Sequence, residues 1–131
     1  PGMRERGWGR IVMVNSAAAK LPSAALVDYS ASKAAMLATA QALAARYGRD
    51  GVLVNSVLPG LIHTPMWERA AGEIAAATDS TPAAVMDGLS AKVPVGRYGT
   101  PAEVAEVLAY SAAQDAIAAR RLEQADGGMA E

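Results

Sequence analysis

An α/β fold built on a parallel sheet is what this sequence predicts, and three observations carry that expectation. Two apolar runs, Ile11-Val12-Met13-Val14 and Val52-Leu53-Val54-Asn55-Ser56-Val57, are separated by a long stretch of strong helix formers. A strand that is apolar at successive positions, not alternate ones, suits a parallel sheet covered on both faces. The connection is far too long for a hairpin and matches the crossover that parallel neighbours need, and such crossovers are almost always right-handed.

The elements follow in order. Residues 1–10 are glycine-rich and charged with no period, so Gly7 and Gly9 are read as turn residues ahead of the first strand at Ile11. A small-residue loop with Pro22 follows at 16–27. The long helix is expected over 28–47, where Met36, Ala40, Leu43 and Tyr47 fall on one stripe, and Gly48 and Gly51 end it. The second strand, 52–57, stops at Pro59-Gly60.

Beyond it, an inserted helical lobe is expected over 64–93. It has one helix at 66–77 and a shorter one after Thr81-Pro82, with Val85, Met86 and Leu89 on one side. Met66, Trp67, Ile74, Met86 and Leu89 either line a substrate pocket or close the lobe on itself. Thr100-Pro101-Ala102-Glu103 is the clearest helix start. Thr100 can cap, Pro101 fits the first helical position, and Glu103 can reach back to complete a capping box. Val104, Val107, Leu108 and Ser111 should then face inward. A weak last strand is expected over 121–125, ahead of Asp126-Gly127-Gly128, with a charge that suits an edge.

Length and composition narrow the class. With 131 residues and no internal repeat or linker, one domain spanning 1–131 is expected. No apolar run approaches the roughly 20 residues of a membrane-spanning helix. Twelve basic and thirteen acidic residues leave a formal charge of -1, which offers no footprint for nucleic acid or an anionic membrane. Zero cysteines exclude a disulfide framework and a thiolate metal site, and no metal site is expected. The first residues lack the apolar stretch of a secretory signal, so the cytoplasm is the expected compartment.

One constellation carries chemistry. Tyr29 and Lys33 stand four residues apart near the start of the long helix, so they project from the same face. A free phenol titrates near about 10, and exchanging protons near neutral pH asks for roughly three units, or about 4 kcal/mol, in favour of its anion. A nearby cation is one way to supply that. Ser16 lies thirteen residues before Tyr29, at the end of the first strand, where parallel sheets present functional side chains. A hydroxyl there can hold a substrate oxygen beside the phenol. His63, the sole histidine, has no evident partner in sequence and is given no role.

In order along the chain stand Ser16, then Tyr29-Ser30-Ala31-Ser32-Lys33-Ala34-Ala35, then Asn55-Ser56-Val57-Leu58-Pro59-Gly60-Leu61-Ile62-His63-Thr64. Gly96-Arg97-Tyr98-Gly99-Thr100-Pro101-Ala102-Glu103 and, more loosely, Asp126-Gly127-Gly128 complete the series. With these motifs, residues 9–113 resemble the second, catalytic half of a short-chain dehydrogenase/reductase. The resemblance implies a partial Rossmann-like parallel sheet and an NAD(P)-dependent oxidoreductase that interconverts an alcohol and a ketone on a small organic substrate. It makes Tyr29 the general acid/base. Lys33 lowers the proton affinity of that phenol and holds the nicotinamide ribose hydroxyls, and Ser16 bonds the reacting oxygen. It brings the Pro59-Gly60 turn close to the nicotinamide, the Ile62 backbone to its carboxamide, and Thr64 to the carboxamide or diphosphate. Thr64 can also cap the helix that starts at Pro65, and the two roles are compatible.

The resemblance also has departures. The family's first half carries the glycine-rich diphosphate turn, the residue that chooses between NAD and NADP, and a helix asparagine of the proton relay, and these motifs are not found in this sequence. The expectation is therefore a truncated, C-terminal part of the enzyme domain, with the coenzyme either NAD or NADP. Ala118-Ala119 and Arg120-Arg121 replace the family's usual Thr-Gly ahead of the last strand, which weakens any subunit contact made there. A homo-oligomer through the apolar stripe of the long helix and burial of that stripe in the core fit equally well. The alternative function is a non-catalytic remnant serving as a folded or partner-binding module. A third reading is a generic α/β binding domain whose Tyr-x-x-x-Lys pair is accidental.

Overall fold

The computed structural model describes residues 1–113. The weak strand expected at 121–125, the Ala118-Ala119 and Arg120-Arg121 pairs and the Asp126-Gly127-Gly128 triplet lie outside the described residues. The described residues gather into two compact units, Pro1–Pro59 together with 107–113, and Gly60–Glu106.

The first unit is the predicted βαβ. Strand β1 (Gly9–Val14) pairs parallel with β2 (Val52–Val57), in register from Gly9 opposite Val52 to Val14 opposite Val57. The Asn15 amide extends the ladder by donating to the Val57 carbonyl at 2.8 Å. Between the strands runs the long helix, Val27–Tyr47, within one residue of its expected start. Its covered stripe is the predicted one, Met36, Ala40, Leu43 and Tyr47, and the helix packs on β2 to bury Ala40, Val52 and Val54. Asp28 in the first turn and Arg46 in the last complement the helix dipole.

Three features of this unit differ from expectation. The glycine-rich opening forms a one-turn helix, Gly2–Glu5, whose Arg4 pairs with Asp50 at 2.5 Å and lies 5.5 Å from the centre of the Tyr47 ring. Four residues are too few to show a period. The first strand also begins at Gly9, two residues before the apolar run, where the Gly9 amide donates to the Gly51 carbonyl at 3.1 Å, and a Cβ on residue 9 would stand 2.7 Å from the Met3 sulfur. Gly51 ends the connection with φ at 75°, and a Cβ there would run into the Gly7 carbonyl. The cover expected on both faces is incomplete among the described residues, since Ile11, Val12 and Met13 are half-buried and Val14 is exposed.

The second unit contains the predicted lobe. Its helices Pro65–Thr78 and Pro82–Ser90 pack together, with Ala71 and Ala75 fully covered. Both helices begin with proline at a first position that needs no amide hydrogen. Thr81 caps the second through a 3.2 Å bond from the Ala84 amide. Thr64 occupies the capping position of the first without making a capping bond, which corrects the expectation that its hydroxyl caps that helix. Ile62 and Gly99 form a parallel bridge through the Gly99 amide to Leu61 and the His63 amide to Gly99, at 2.9 and 2.8 Å. The last described helix, Pro101–Ala113, starts in this unit and ends in the first. Its inner side is Val104, Leu108 and Ser111, whereas Val107, also expected inside, is exposed. No helix among the described residues is long and apolar enough to cross a membrane.

Candidate active site

The candidate chemistry gathers where the two parallel strands end. β1 runs out into Asn15 and Ser16, and β2 into Leu58 and Pro59. A 3.0 Å bond from the Ala17 amide to the Pro59 carbonyl ties the two exits together. In open α/β sheets this carboxyl edge is where ligands bind.

Ser16 holds extended backbone and caps a 3₁₀ turn, Ala17–Ala19, accepting the Ala18 amide at 3.2 Å. The cap leaves this hydroxyl able to act on a substrate oxygen, because an acceptor that uses one lone pair keeps its own O–H to donate. The turn packs against the long helix. There Tyr29 and Lys33 meet as the four-residue spacing predicts, with the Lys33 Nζ 5.6 Å from the centre of the Tyr29 ring. The ring is 41% exposed, so a solute can reach the phenol. Buried Ser30, between them, accepts the Ser23 amide at 3.2 Å and pins the loop that follows the 3₁₀ turn.

Sequence reading missed Asn15. Its side chain is buried beside Ser16 and hydrogen-bonds the Ser16 amide, the Lys33 carbonyl and the Ser56 hydroxyl. The available signal was a polar residue closing an apolar strand. Asn55 plays a comparable part in β2, donating to the Ser111 carbonyl at 3.3 Å near the end of the last described helix.

Gly60, Ile62 and Thr64 fall in the second unit. The two bonds of the Ile62–Gly99 bridge are made by Leu61 and His63, leaving Ile62's own amide and carbonyl out of that bridge. His63, given no role from sequence, has a partner after all. Its Nε2 lies 3.8 Å from a carboxylate oxygen of Glu68, in the first turn of the helix that follows, and its ring meets Tyr98 edge-on at 6.0 Å. His63, Glu68, Met86, Asp87, Ser90 and Tyr98 are among the residues lining an open cavity of about 350 Å³. Of the five lobe residues weighed as pocket lining, only Met86 reaches it. Met66 and Ile74 are exposed, and Trp67 instead meets the edge of Tyr98 at 6.4 Å. Burial raises the proton affinity of the Tyr98 phenol, which donates to the Met86 sulfur at 3.4 Å.

The strongest electrostatic feature is at the last helix start. Glu103 accepts two bonds from Arg97, at 2.6 and 3.0 Å, and accepts from the Thr100 amide at 2.7 Å and its hydroxyl at 3.1 Å. In return Thr100 accepts the Glu103 amide at 3.2 Å, so the predicted capping box is present. Bonds from Arg97 first, then from Thr100, lower the Glu103 carboxyl from its ordinary 4.5 to about 2.

Comparison with known proteins gives this arrangement its relatives. The profile of the family described as Enoyl-(Acyl carrier protein) reductase matches residues 1–129. A Streptomyces virginiae protein, named provisionally as a ketoacyl reductase of the monensin polyketide synthase, is 42% identical over 88% of this chain and 44% of its own length. The solved structure of an actinorhodin polyketide ketoreductase variant with NADPH is 38% identical, with a TM-score of 0.78 over 84% of this chain and 42% of that one. An oxidoreductase of the short-chain dehydrogenase/reductase family from Burkholderia thailandensis is 33% identical, with a TM-score of 0.74 over 92% of this chain and 42% of that one. The chain thus spans less than half the length of these relatives. Strand pair, tyrosine-lysine turn and near-complete family match agree, and the chain belongs to the short-chain dehydrogenase/reductase family.

Proposed function

We propose that this chain is the C-terminal, catalytic part of a Rossmann-like NAD(P)-dependent oxidoreductase domain, one that interconverts an alcohol and a ketone on a small organic substrate. The observation that carries the reading is the Lys33 ammonium beside the Tyr29 ring at the carboxyl edge of a parallel strand pair. Likeness to a ketoreductase solved with NADPH supports it. The residues present suit the nicotinamide end of such a coenzyme: an ammonium for hydroxyls, and bridge geometry that leaves the Ile62 amide and carbonyl out of the backbone pairing. When bound, the coenzyme supplies or takes up the hydride.

The chain's own groups then have defined work. During ketone reduction the Tyr29 phenol donates its proton to the substrate oxygen, and during alcohol oxidation the phenolate takes it back. Lys33, whose ammonium lies 5.6 Å from the centre of the Tyr29 ring, binds ribose hydroxyls. Ser16 donates its O–H to the reacting oxygen and stabilises the charge that develops there. Pro59, Gly60, Ile62 and Thr64 are assigned to the nicotinamide side, with Thr64 offering a hydroxyl that makes no capping bond. The cytoplasm is the proposed compartment.

Fluorescence titration of NADH and NADPH against the purified chain tests the assignment. Binding at coenzyme concentrations on the order of 1 mM or below, near the top of the usual range, supports it, and none at that level overturns it for this chain. One observation favours a second reading, a folded module without turnover. The buried apolar residues among those described are small, Ala40, Val52, Val54, Ala71 and Ala75, a modest core for a coenzyme-binding enzyme. That reading predicts a cooperative thermal melt with no coenzyme response.

A further inference from the structure

Asn15 is only 5% exposed, and it carries both an acceptor and two donors that must be satisfied in place. An unpartnered amide at that depth is costly, so its partners define why it is there. Its Oδ1 accepts the Ser16 amide at 2.9 Å. Its Nδ2 donates to the Lys33 carbonyl at 3.1 Å and to the Ser56 hydroxyl at 3.3 Å, while its own amide continues the ladder to Val57. One side chain thus reaches the strand exit that bears Ser16, the helix turn that bears Lys33 and the neighbouring strand. Ser16 and Lys33 are seventeen residues apart in sequence, and among the described residues no hydrogen bond joins them directly.

We propose that Asn15 is a positioning residue for the reaction: it holds the Ser16 hydroxyl and the Lys33 turn at one fixed separation, so that the hydroxyl meets the substrate oxygen while Lys33 stands beside the Tyr29 phenol that exchanges a proton with it. This rests on the roles proposed above for Ser16, Tyr29 and Lys33. Asn15 itself touches no reactant. An aliphatic side chain of similar size fills the same volume but forms neither link. Aspartate keeps the acceptor for the Ser16 amide and loses the donor to Lys33, so the two links can be separated.

The test compares Asn15→Ala, Asn15→Asp and Tyr29→Phe with the unsubstituted chain. The readouts are hydrogen exchange at the Ser16 amide and steady-state reduction of ethyl acetoacetate by NADPH, with kcat referred to the folded fraction seen by circular dichroism. In Asn15→Ala the Ser16 amide exchanges faster. A displacement of about 1 Å in a reacting group costs on the order of ten- to a hundredfold in kcat. Asn15→Asp keeps Ser16 protected but remains slow, which a simple loss of folded protein cannot imitate. Unchanged Ser16 exchange in Asn15→Ala, or kcat per folded chain at the unsubstituted level in either variant, overturns the proposal. If the alanine chain does not fold, the aspartate chain decides alone. Turnover that survives Tyr29→Phe, or no turnover by the unsubstituted chain, defeats the oxidoreductase reading itself and takes the positioning role with it.

Discussion

Lys33 carries its ammonium 5.6 Å from the centre of the Tyr29 ring, one helical turn along the same face. The ring face attracts the cation whether or not the phenol oxygen is present. Tyr29→Phe therefore keeps that contact, and since the ring is partly exposed, the variant should unfold within about 0.5 kcal/mol of the parent. Its turnover should fall at least about a hundredfold, the usual weight of a general acid/base. Urea unfolding and ketone-dependent NADPH oxidation measure the two quantities on one preparation. Equal turnover in the two proteins would remove Tyr29 from the chemistry.

Thr64 and Thr81 both precede a proline that starts a helix, yet only Thr81 makes a capping bond. Thr81→Ala should cost about 1 kcal/mol, the typical worth of a cap, with coenzyme affinity unaltered. Thr64→Ala should leave stability within about 0.5 kcal/mol, as expected where no cap is lost. By the proposed role it should instead raise KM for the coenzyme. Denaturant midpoints and coenzyme titration of the pair give four numbers, and the reverse pattern would contradict both assignments.

Glu103 makes stability depend on acid in a defined window. Its folded-state value of about 2 lies below its ordinary 4.5, so the folded state favours the ionised form. The associated stability is fully present above the ordinary value and is lost as pH falls through the folded value. Thermal melts should show the loss between 4.5 and about 2. Glu103→Gln removes the titrating group, so its melting temperature should fall less across that window. Parallel curves for the two proteins would show that the Arg97 and Thr100 bonds do not persist in solution.

Gly51→Ala meets two obstacles, a left-handed backbone and the Gly7 carbonyl in the space its methyl would take. A strained non-glycine residue there costs of order 1–3 kcal/mol. Gly48→Ala, in right-handed helical backbone with open space around it, should instead be neutral or slightly stabilising. Urea midpoints of the two variants, lowered for Gly51→Ala and unchanged or raised for Gly48→Ala, check the turn geometry.

Much of this protein is legible along the chain because the signals are local. The β-α-β order, the Met36 to Tyr47 stripe, the proline-led lobe helices and the Thr100 to Glu103 box each depend on partners within a few residues. Tyr29 and Lys33 belong to the same class, since a helix of known pitch places residues four apart on one face. Ser16 stood out by its place at the end of the first strand, and family motifs added the Pro59 to Thr64 segment as candidates, by resemblance.

What spacing alone could not decide involves partners that only folding brings together. Nothing in the run of residues tells that Asn15 reaches Lys33 and Ser56, that Arg4 meets Asp50, or that Arg97 adds its charge to the Glu103 cap. It also conceals that Thr64 leaves its helix uncapped while Thr81 does not, and that Val107 faces out. Periodicity and capping are written in backbone geometry over one or two turns. Long-range hydrogen bonds and burial depend on where separate elements come to rest, so the chain order specifies the parts and the packed structure assigns their partners.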